Sequence, residues 1–313
     1  MTTTAPTPAL AKPTLDPRLL ASLIAVYVIW SSTYLAMRIV VHELPPLLTA
    51  SLRFAIAGLV MLIVARSRGH AIPPLREWLR VAPIGTLLFL GGNGFVSIAE
   101  KSVSSGGAAV VCATMPLWVG VLGVVTGKDT RPSRREWFAL VLGFIGVLVL
   151  MGGPALEGKP EHIALLICSP IAWAFGSILS RRLPKQSDSS GPLMLPAMQM
   201  LSGGAALMLV ALLRGERIPS GASTESWLAL AYLLVFGSLV AFTAYNWLLR
   251  NARPVVATSY AYVNPILAVL IAAIFYGEPL GWTTLVANVL IVGAVMLALY
   301  RPQAAIRPVL PKG

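Results

Sequence analysis

Long uncharged runs constrain this sequence more than any other feature. Nine runs lack Asp, Glu, Lys and Arg and hold 18 or more residues each; they are 19–37, 81–99, 102–127, 137–156, 163–180, 189–213, 226–249, 254–277 and 279–300. A tenth, 44–65, is interrupted only by Arg53. Because a helix needs about 20 residues to cross about 30 Å of hydrocarbon, the runs predict an all-α integral membrane protein with ten transmembrane helices.

Two other interpretations fit the runs less well. Strands of an outer-membrane barrel alternate apolar and polar residues, whereas these runs are apolar throughout. The first run lacks a convincing cleavage site and no soluble domain follows it, so we expect a retained span rather than a signal peptide. Only 12% of the residues are charged, against about 25% in soluble domains.

The basic residues indicate how the spans are oriented. If the chain starts in the cytoplasm and alternates sides, 18 of the 24 lysines and arginines lie in cytoplasmic segments and 5 on the other side, with Arg53 inside a span. This asymmetry follows the positive-inside rule and predicts that both termini are cytoplasmic. The net charge of +12 is therefore a topology signal, and we expect the bilayer, not a nucleic acid, as partner.

The chain shows no pattern typical of a cofactor, metal or catalytic site. Cys112 and Cys168 lie within apolar runs, without a CxxC pattern or a nearby His cluster, so we expect neither a metal nor a disulfide. HExxH and GxSxG motifs and paired intramembrane carboxylates are also missing. An enzyme is therefore not expected, and a channel is disfavoured because no charge ring or repeated carbonyl filter is recognisable.

The two halves of the chain are similar in sequence. Spans 2 and 7 align without gaps at an offset of 146, which pairs Gly58 with Gly204 and Arg53 with Gln199. We expect a tail at 1–17, five-helix repeats at 18–156 and 157–300, and a second tail at 301–313. Since five spans per repeat is an odd number, the second repeat enters the membrane from the opposite side, an arrangement found in secondary transporters.

Several segments resemble a known family, the EamA-type ten-helix carriers of the drug/metabolite transporter superfamily. They are "VIWSSTYLAMRI", "PPLLTASLRFAIAGL", "GGNGFVSIAEKSVSSGGAAVVCATMPLWVGVL" and "SYAYVNPILAVLIAAIFYGEPL". The resemblance covers about residues 20–300 and is greatest to bacterial inner-membrane exporters of amino acids and related metabolites. It implies a central cavity lined mainly by helices 3, 4, 8 and 9, and dimerisation or packing through helices 5 and 10. We expect a monomer or a weak homodimer.

Polar and aromatic residues near the middle of the spans are candidates for the wall of such a cavity, because unpaired polar groups in hydrocarbon are costly. Trp30, Trp173, Trp118 and Met115 serve either in binding or in packing. Of the two tyrosines at 260 and 262, which point in different directions, we favour Tyr262. The predicted substrate-binding residues are Trp30, Tyr34, Asn93, Met115, Trp118, Trp173, Tyr245, Asn246, Tyr262 and Asn264.

A second set of residues is predicted to act in gating or helix bending. Two prolines occupy matching positions of spans 4 and 9, and a proline inside a helix removes a backbone hydrogen bond. Arg53 is the one charge inside a span, and we assign it to the outer gate in preference to direct substrate contact. The set comprises Pro116, Pro265, Arg53, Glu100 and Glu278.

The expected function is export of small amphipathic metabolites by alternating access. A wall of Trp, Tyr, Met and Asn suits zwitterionic substrates such as neutral and aromatic amino acids. The alternative is a proton-coupled exporter of drugs or other toxic compounds. No Asp or Glu lies inside a run, which favours facilitated export, with weak coupling through Glu100 or Glu278 left open.

Overall fold

The computed structural model describes residues 16–103, 105–127, 131–151, 158–183, 191–276 and 281–299, and within these ranges every regular element is helical. The helices of the first half are α1 Pro17–Glu43, α2 Pro46–Ser67, α3 Leu75–Ala99, α4 Ser105–Cys112, α5 Met115–Thr126 and α6 Arg134–Met151. Those of the second half are α7 Pro160–Arg182, α8 Gly191–Leu213, α9 Thr224–Asn251, α10 Pro254–Thr258, α11 Tyr260–Tyr276 and α12 Trp282–Leu299.

Several helices are suited to a membrane. In the described part of the chain, six are long and apolar enough to cross a bilayer: α1, α2, α3, α7, α8 and α9. They coincide with six of the predicted runs. The other four runs coincide with α4 plus α5, α6, α10 plus α11, and α12. The all-helical, multi-pass membrane class is confirmed, while the count of ten spans stays a prediction.

Glycines let α2 and α8 pack closely, and they do so reciprocally. A Cβ on Gly58 would lie 2.8 Å from Leu201 Cγ and 3.1 Å from the Ala197 carbonyl oxygen. A Cβ on Gly204 would lie 3.1 Å from the Ala55 amide nitrogen and 3.4 Å from the carbonyl oxygen of Ser51. At the offset of 146, residues 51 and 55 are equivalent to 197 and 201, so each helix presents the same surface to the other.

Both halves also carry a π-helical segment at a corresponding place. It covers Thr86–Gly94 within α3 and Leu233–Ala241 within α9, so the second begins 147 positions after the first (233 against 86). A π-helix widens the turn by one residue and often marks a functional site. In α3 the widened turns carry glycines, and Gly91 and Gly92 allow α7 to approach at Ala172 and Trp173.

Acidic side chains join the two halves at helix starts. Glu216 accepts hydrogen bonds from the backbone N–H groups of Leu47 and Leu48, at 3.0 and 2.8 Å, at the start of α2. At the start of α9, Glu43 accepts from the backbone N–H and the hydroxyl of Ser223, at 2.8 and 2.6 Å. A carboxylate satisfies the free N–H groups of a helix start and interacts favourably with the helix dipole.

The structure differs from the prediction for the two prolines. Pro116 lies in the first turn of α5, where a missing N–H costs no hydrogen bond. The interruption between α4, which ends at Cys112, and α5 comes just before it. Pro265 lies inside α11. It follows Ser259, the residue at which the second half is interrupted between α10 and α11, by six residues. The hydroxyls of Ser259 and Tyr27 are 2.6 Å apart and connect this break to α1. The two prolines are therefore not equivalent defects.

Candidate functional site

A cavity of about 110 Å³ lies between the halves, with room for several water molecules or a small organic group. Its wall combines helices of both halves. It is formed by Trp30, Thr33, Tyr34, Met37, Arg53, Phe54, Phe89, Gly92, Asn93, Val96, Cys112, Met115, Ser169, Pro170, Trp173, Gly237, Phe242, Tyr260, Ala261 and Asn264.

An aromatic cluster forms one side of this cavity. The ring of Trp30 lies 4.6 Å from that of Tyr260, 5.0 Å from that of Tyr245 and 5.7 Å from that of Trp173, measured between centroids. The contacts with Tyr260 and Trp173 are edge-to-face, an arrangement that aromatic pairs prefer. The rings present a stiff apolar surface with few rotatable bonds.

Hydrogen bonds fix the two tryptophans of the cluster. Trp30 Nε1 donates to the Gly237 carbonyl at 3.2 Å, and Trp173 Nε1 donates to the Tyr245 hydroxyl at 3.2 Å. The same hydroxyl lies 2.7 Å from that of Ser177. Because both indole N–H groups already have protein partners, the tryptophans offer ring surface rather than hydrogen bonds to a ligand.

Two asparagines bring polar groups to the wall. The Asn264 side-chain oxygen accepts a hydrogen bond from the Ser31 hydroxyl at 3.1 Å. Asn93 lies on the π-helical segment of α3, and its buried side-chain oxygen has no hydrogen-bond partner among the residues that the structure describes. A buried acceptor of this kind is costly unless a ligand or water fills it.

Arg53 also lies in the wall, although α2 contributes little else to it. Its side chain is buried, and its Nε donates to the Ser238 hydroxyl at 2.8 Å. The guanidinium carbon lies 4.6 Å from the centroid of the Phe54 ring. Within the described ranges, no carboxylate is within salt-bridge distance of Arg53.

The opposite end of the bundle is held by direct hydrogen bonds. The cavity takes residues from the C-terminal half of α1 and the N-terminal half of α2. At the far end, Arg182 of α7, in the second half, donates to the Thr126 carbonyl of α5, in the first half. The Tyr27–Ser259 hydrogen bond lies between the cavity and that end. Hydrogen bonds therefore join the halves at both ends, since Glu216 and Glu43 do so at the end nearer the cavity.

Most, but not all, of the predicted binding residues reach the cavity wall. Tyr245 packs directly behind it, while Trp118 and Asn246 lie elsewhere. Of the gating set, Pro116, Pro265 and Glu100 are not in the wall, and Glu278 lies outside the described residues. Those that line the wall are Trp30, Tyr34, Asn93, Met115, Trp173 and Asn264, together with Arg53 from the gating set.

The structure differs from the prediction at Tyr262. Its hydroxyl donates to the Leu140 carbonyl at 2.8 Å, and its ring would meet a Cβ placed on Gly143, so it packs against α6. Tyr260 lines the cavity instead. Two residues along a helix correspond to a rotation of about 200°, so only one of the two can face the cavity. Which one faces it depends on where α6 packs.

Other wall residues follow a helical pattern that the sequence analysis did not use. Those of α1 are residues 30, 33, 34 and 37, and those of α3 are residues 89, 92, 93 and 96. Both sets have the spacing i, i+3, i+4, i+7 of a single helix face. Extending the face of Trp30 or of Asn93 by this spacing would have found them.

Glu100 is a buried carboxyl group close to the wall. It follows α3 directly, and neither side-chain oxygen has a hydrogen-bond partner in the described part of the chain. Its electrostatic neighbours include Tyr34 and Cys112, which line the cavity, and Arg38. Burial without a donor disfavours the charged form of a carboxyl group.

The sequence matches a family model over nearly all of its length. The EamA-like transporter family matches residues 18–152 and, a second time, residues 162–300. The chain belongs to the EamA-like transporter family. Together with its apolar helices, this makes the protein a multi-pass membrane transporter. The family and several of the relatives are named as transporters.

Relatives of this EamA-like chain include bacterial and archaeal proteins. The "uncharacterized inner membrane transporter YedA" of Escherichia coli (strain K12) is 41% identical over 280 residues, which cover 89% of this chain and 90% of YedA. An "uncharacterized transporter" of Archaeoglobus fulgidus is 26% identical over 86% of this chain and 93% of that one. Protein PecM of Dickeya dadantii is 25% identical and covers 86% and 88%, respectively.

A solved crystal structure has the same fold as this EamA-like transporter. It superposes with a TM-score of 0.71, covering 90% of this chain and 96% of the other. The two sequences are 23% identical. The similarity therefore concerns the fold alone.

Proposed function

We propose that this transporter exports small amphipathic metabolites, with neutral and aromatic amino acids as the expected class, by alternating access in a bacterial inner membrane. The observation that carries the proposal is the cavity between the halves, whose wall joins aromatic rings to a few polar groups. An apolar pocket with a small number of convergent polar groups is the usual form of a small-molecule site.

The proposed architecture has ten transmembrane helices in two inverted five-helix repeats, with both termini cytoplasmic. Three observations support it: the reciprocal α2–α8 packing, the matching π-helical segments and the second match of the family model at residues 162–300. The distribution of basic residues supports the orientation.

In this proposal Trp30, Trp173 and Tyr260 hold the apolar part of the substrate, with Tyr245 behind them. Asn93, Asn264 and Tyr34 lie where its polar groups would be. The hydrogen bonds of Arg182 to Thr126 and of Tyr27 to Ser259, which join the halves at the other end, are those that would break when the cavity opens there, because a carrier exposes its site to one side at a time.

A second candidate is a proton-coupled exporter of drugs or other toxic compounds. The observation that favours it is Glu100, a buried carboxyl group beside two wall residues, which has no hydrogen-bond partner among the described residues. A buried ionisable group of this kind is typical of proton relays in transporters.

Counterflow in proteoliposomes tests the main proposal. Vesicles loaded with unlabelled L-phenylalanine should accumulate the labelled amino acid transiently, because a carrier exchanges its substrate whereas a channel only equilibrates it. Trp30→Ala should reduce the initial rate by about 10-fold, from loss of the ring contacts. Trp227→Ala, at a half-exposed tryptophan of α9, is the matched control and should retain the rate. Absence of counterflow for a panel of neutral and aromatic amino acids would contradict the proposal.

The same vesicles separate facilitated export from proton coupling. If transport is facilitated, an imposed pH gradient should leave the final internal concentration at the external value. Accumulation above that value, abolished by Glu100→Gln, would favour the second candidate instead.

A further inference from the structure

Arg53 is a buried charge in the cavity wall that no described residue neutralises. Its side chain is more than nine-tenths buried, and among the described residues its hydrogen bond to Ser238 uses only Nε. The two terminal amino groups of the guanidinium, with four N–H bonds, have no acceptor in the same part of the chain. An unpaired buried charge is destabilising, and proteins usually pair it.

The surroundings of Arg53 hold the guanidinium in place. Ser238 lies on the π-helical segment of α9 and orients the Nε–H, while the Phe54 ring lies beside the guanidinium carbon. At the neighbouring Gly237, a Cβ would lie 2.9 Å from the terminal amino group Nη2 of Arg53. A side chain at 237 would thus displace the guanidinium, so this glycine makes room for it.

The opposite type of polar group is available in the same cavity. Asn93 lines the cavity, and its side-chain oxygen is a buried hydrogen-bond acceptor without a partner among the described residues. A ligand that offers an anionic oxygen pair to Arg53 and an N–H donor to Asn93 would satisfy both. In the same cavity, the aromatic rings of Trp30 and Tyr260 supply an apolar surface for the rest of the ligand.

We propose that Arg53 binds the carboxylate of the transported molecule, and that Asn93 accepts a hydrogen bond from its ammonium group. The substrate class is then a carboxylate-bearing zwitterion with an apolar side chain. This inference rests on the proposed transport function and specifies the chemistry of its site. A guanidinium suits this role because its planar donors match a carboxylate in two parallel hydrogen bonds.

A purely structural role for Arg53 is a weaker explanation. Its equivalent in the second half, Gln199, packs in the corresponding place of α8 without a charge and hydrogen-bonds to Ser180 at 2.8 Å. Packing at this position therefore does not require a guanidinium. Arg53, but not Gln199, lines the cavity.

Three related probes separate the chemical groups. L-Phenylalanine carries both charges, 3-phenylpropanoate lacks the ammonium group and 2-phenylethylamine lacks the carboxylate. Uptake of each labelled compound is measured in proteoliposomes that contain the full chain. The wild type should prefer phenylalanine over 2-phenylethylamine by at least about 10-fold in initial rate. Losing a hydrogen bond to a charged group weakens an interaction by about this factor or more.

The variant Arg53→Gln should lower phenylalanine uptake by about 10- to 100-fold and leave 2-phenylethylamine uptake within about 3-fold, so that the preference disappears. Arg53→Lys keeps the charge but loses the paired geometry, and should retain part of the preference. Arg68→Gln removes the same charge from an exposed residue just after α2 and serves as the matched control, with the preference unchanged.

The outcomes distinguish the inference from the function on which it rests. A wild type that transports phenylalanine and 2-phenylethylamine equally well overturns the role of Arg53 and leaves the carrier intact. Equal losses for all three probes in Arg53→Gln also overturn it, in favour of a structural role. If Arg53→Gln cannot be purified, the ratio of phenylalanine uptake to 2-phenylethylamine uptake, compared between the wild type and Arg53→Lys, tests the inference instead. A wild type that transports none of the probes contradicts the proposed function itself.

Discussion

Arg53 of α2 and Gln199 of α8 occupy equivalent positions of the two halves, yet their surroundings differ. Arg53 lines the cavity and donates through Nε to Ser238 of α9. Gln199 is fully buried and donates to Ser180 of α7. The helices that carry them pack through the same glycine positions, Gly58 and Gly204. The two halves therefore pack through equivalent glycines but carry different polar side chains at these equivalent positions.

This difference explains why an internal repeat alone does not locate a binding site. Packing between helices requires small residues at fixed spacings, and both copies keep them. A binding site near a pseudo-two-fold axis needs each polar group only once, since a small substrate lacks that symmetry. The second copy of each group is then free to become neutral.

Placing an arginine at position 199 should have the largest effect on stability. Gln199→Arg places a guanidinium where the side chain is fully buried and lies outside the cavity wall, so we expect a loss of stability of about 3–5 kcal/mol. Arg53→Gln should remain folded. Fluorescence-detected size exclusion after a temperature series compares them, and equal thermal stability of the two variants would argue against the difference between the halves.

The shared framework predicts similar losses at the paired glycines. Gly58→Ala and Gly204→Ala each push a methyl group into the facing helix, at a cost of about 1–3 kcal/mol. Gly293→Ala in α12 is the control, because a Cβ there has no atom within 4 Å. Thermal melts of the three variants provide the test. A large loss at one paired glycine and none at the other would show that the packing is not reciprocal.

Tyr260 and Tyr262 extend the comparison to two faces of one helix. Tyr262→Phe removes the buried hydrogen bond to the Leu140 carbonyl and should cost about 1 kcal/mol of stability, without a change in KM. Tyr260→Phe should change KM for transport by a few-fold, with stability nearly preserved. Melting temperature and concentration-dependent uptake, measured on the same preparations, check both. A KM effect confined to Tyr262→Phe would restore the sequence-based choice of that residue.

The smallest effects are expected at the prolines. Pro116→Ala lies in a first helical turn and should change stability and transport little. Pro265→Ala supplies the missing N–H inside α11, which should straighten the helix and slow transport by about 2- to 5-fold if bending accompanies gating. Initial rates of counterflow measure both. Equal slowing by the two variants would indicate that the prolines act as an equivalent pair after all.

Local properties of the sequence determined the class of the protein. Long uncharged runs, basic residues between them and an internal repeat predicted a helical membrane protein, and the resemblance of segments such as "VIWSSTYLAMRI" predicted its family. These features are readable because the length of an apolar run and the charge of a loop do not depend on distant parts of the chain.

Only the tertiary structure decided which residues meet. It placed Arg53 in the cavity wall, turned Tyr262 away from it, put the break of the second half at Ser259 and formed the two π-helical segments that present Asn93 and Ser238. In a soluble helix an apolar stripe reveals the inner face, but these helices are apolar on all sides. The direction of a side chain therefore followed from the neighbouring helices, which no single span encodes.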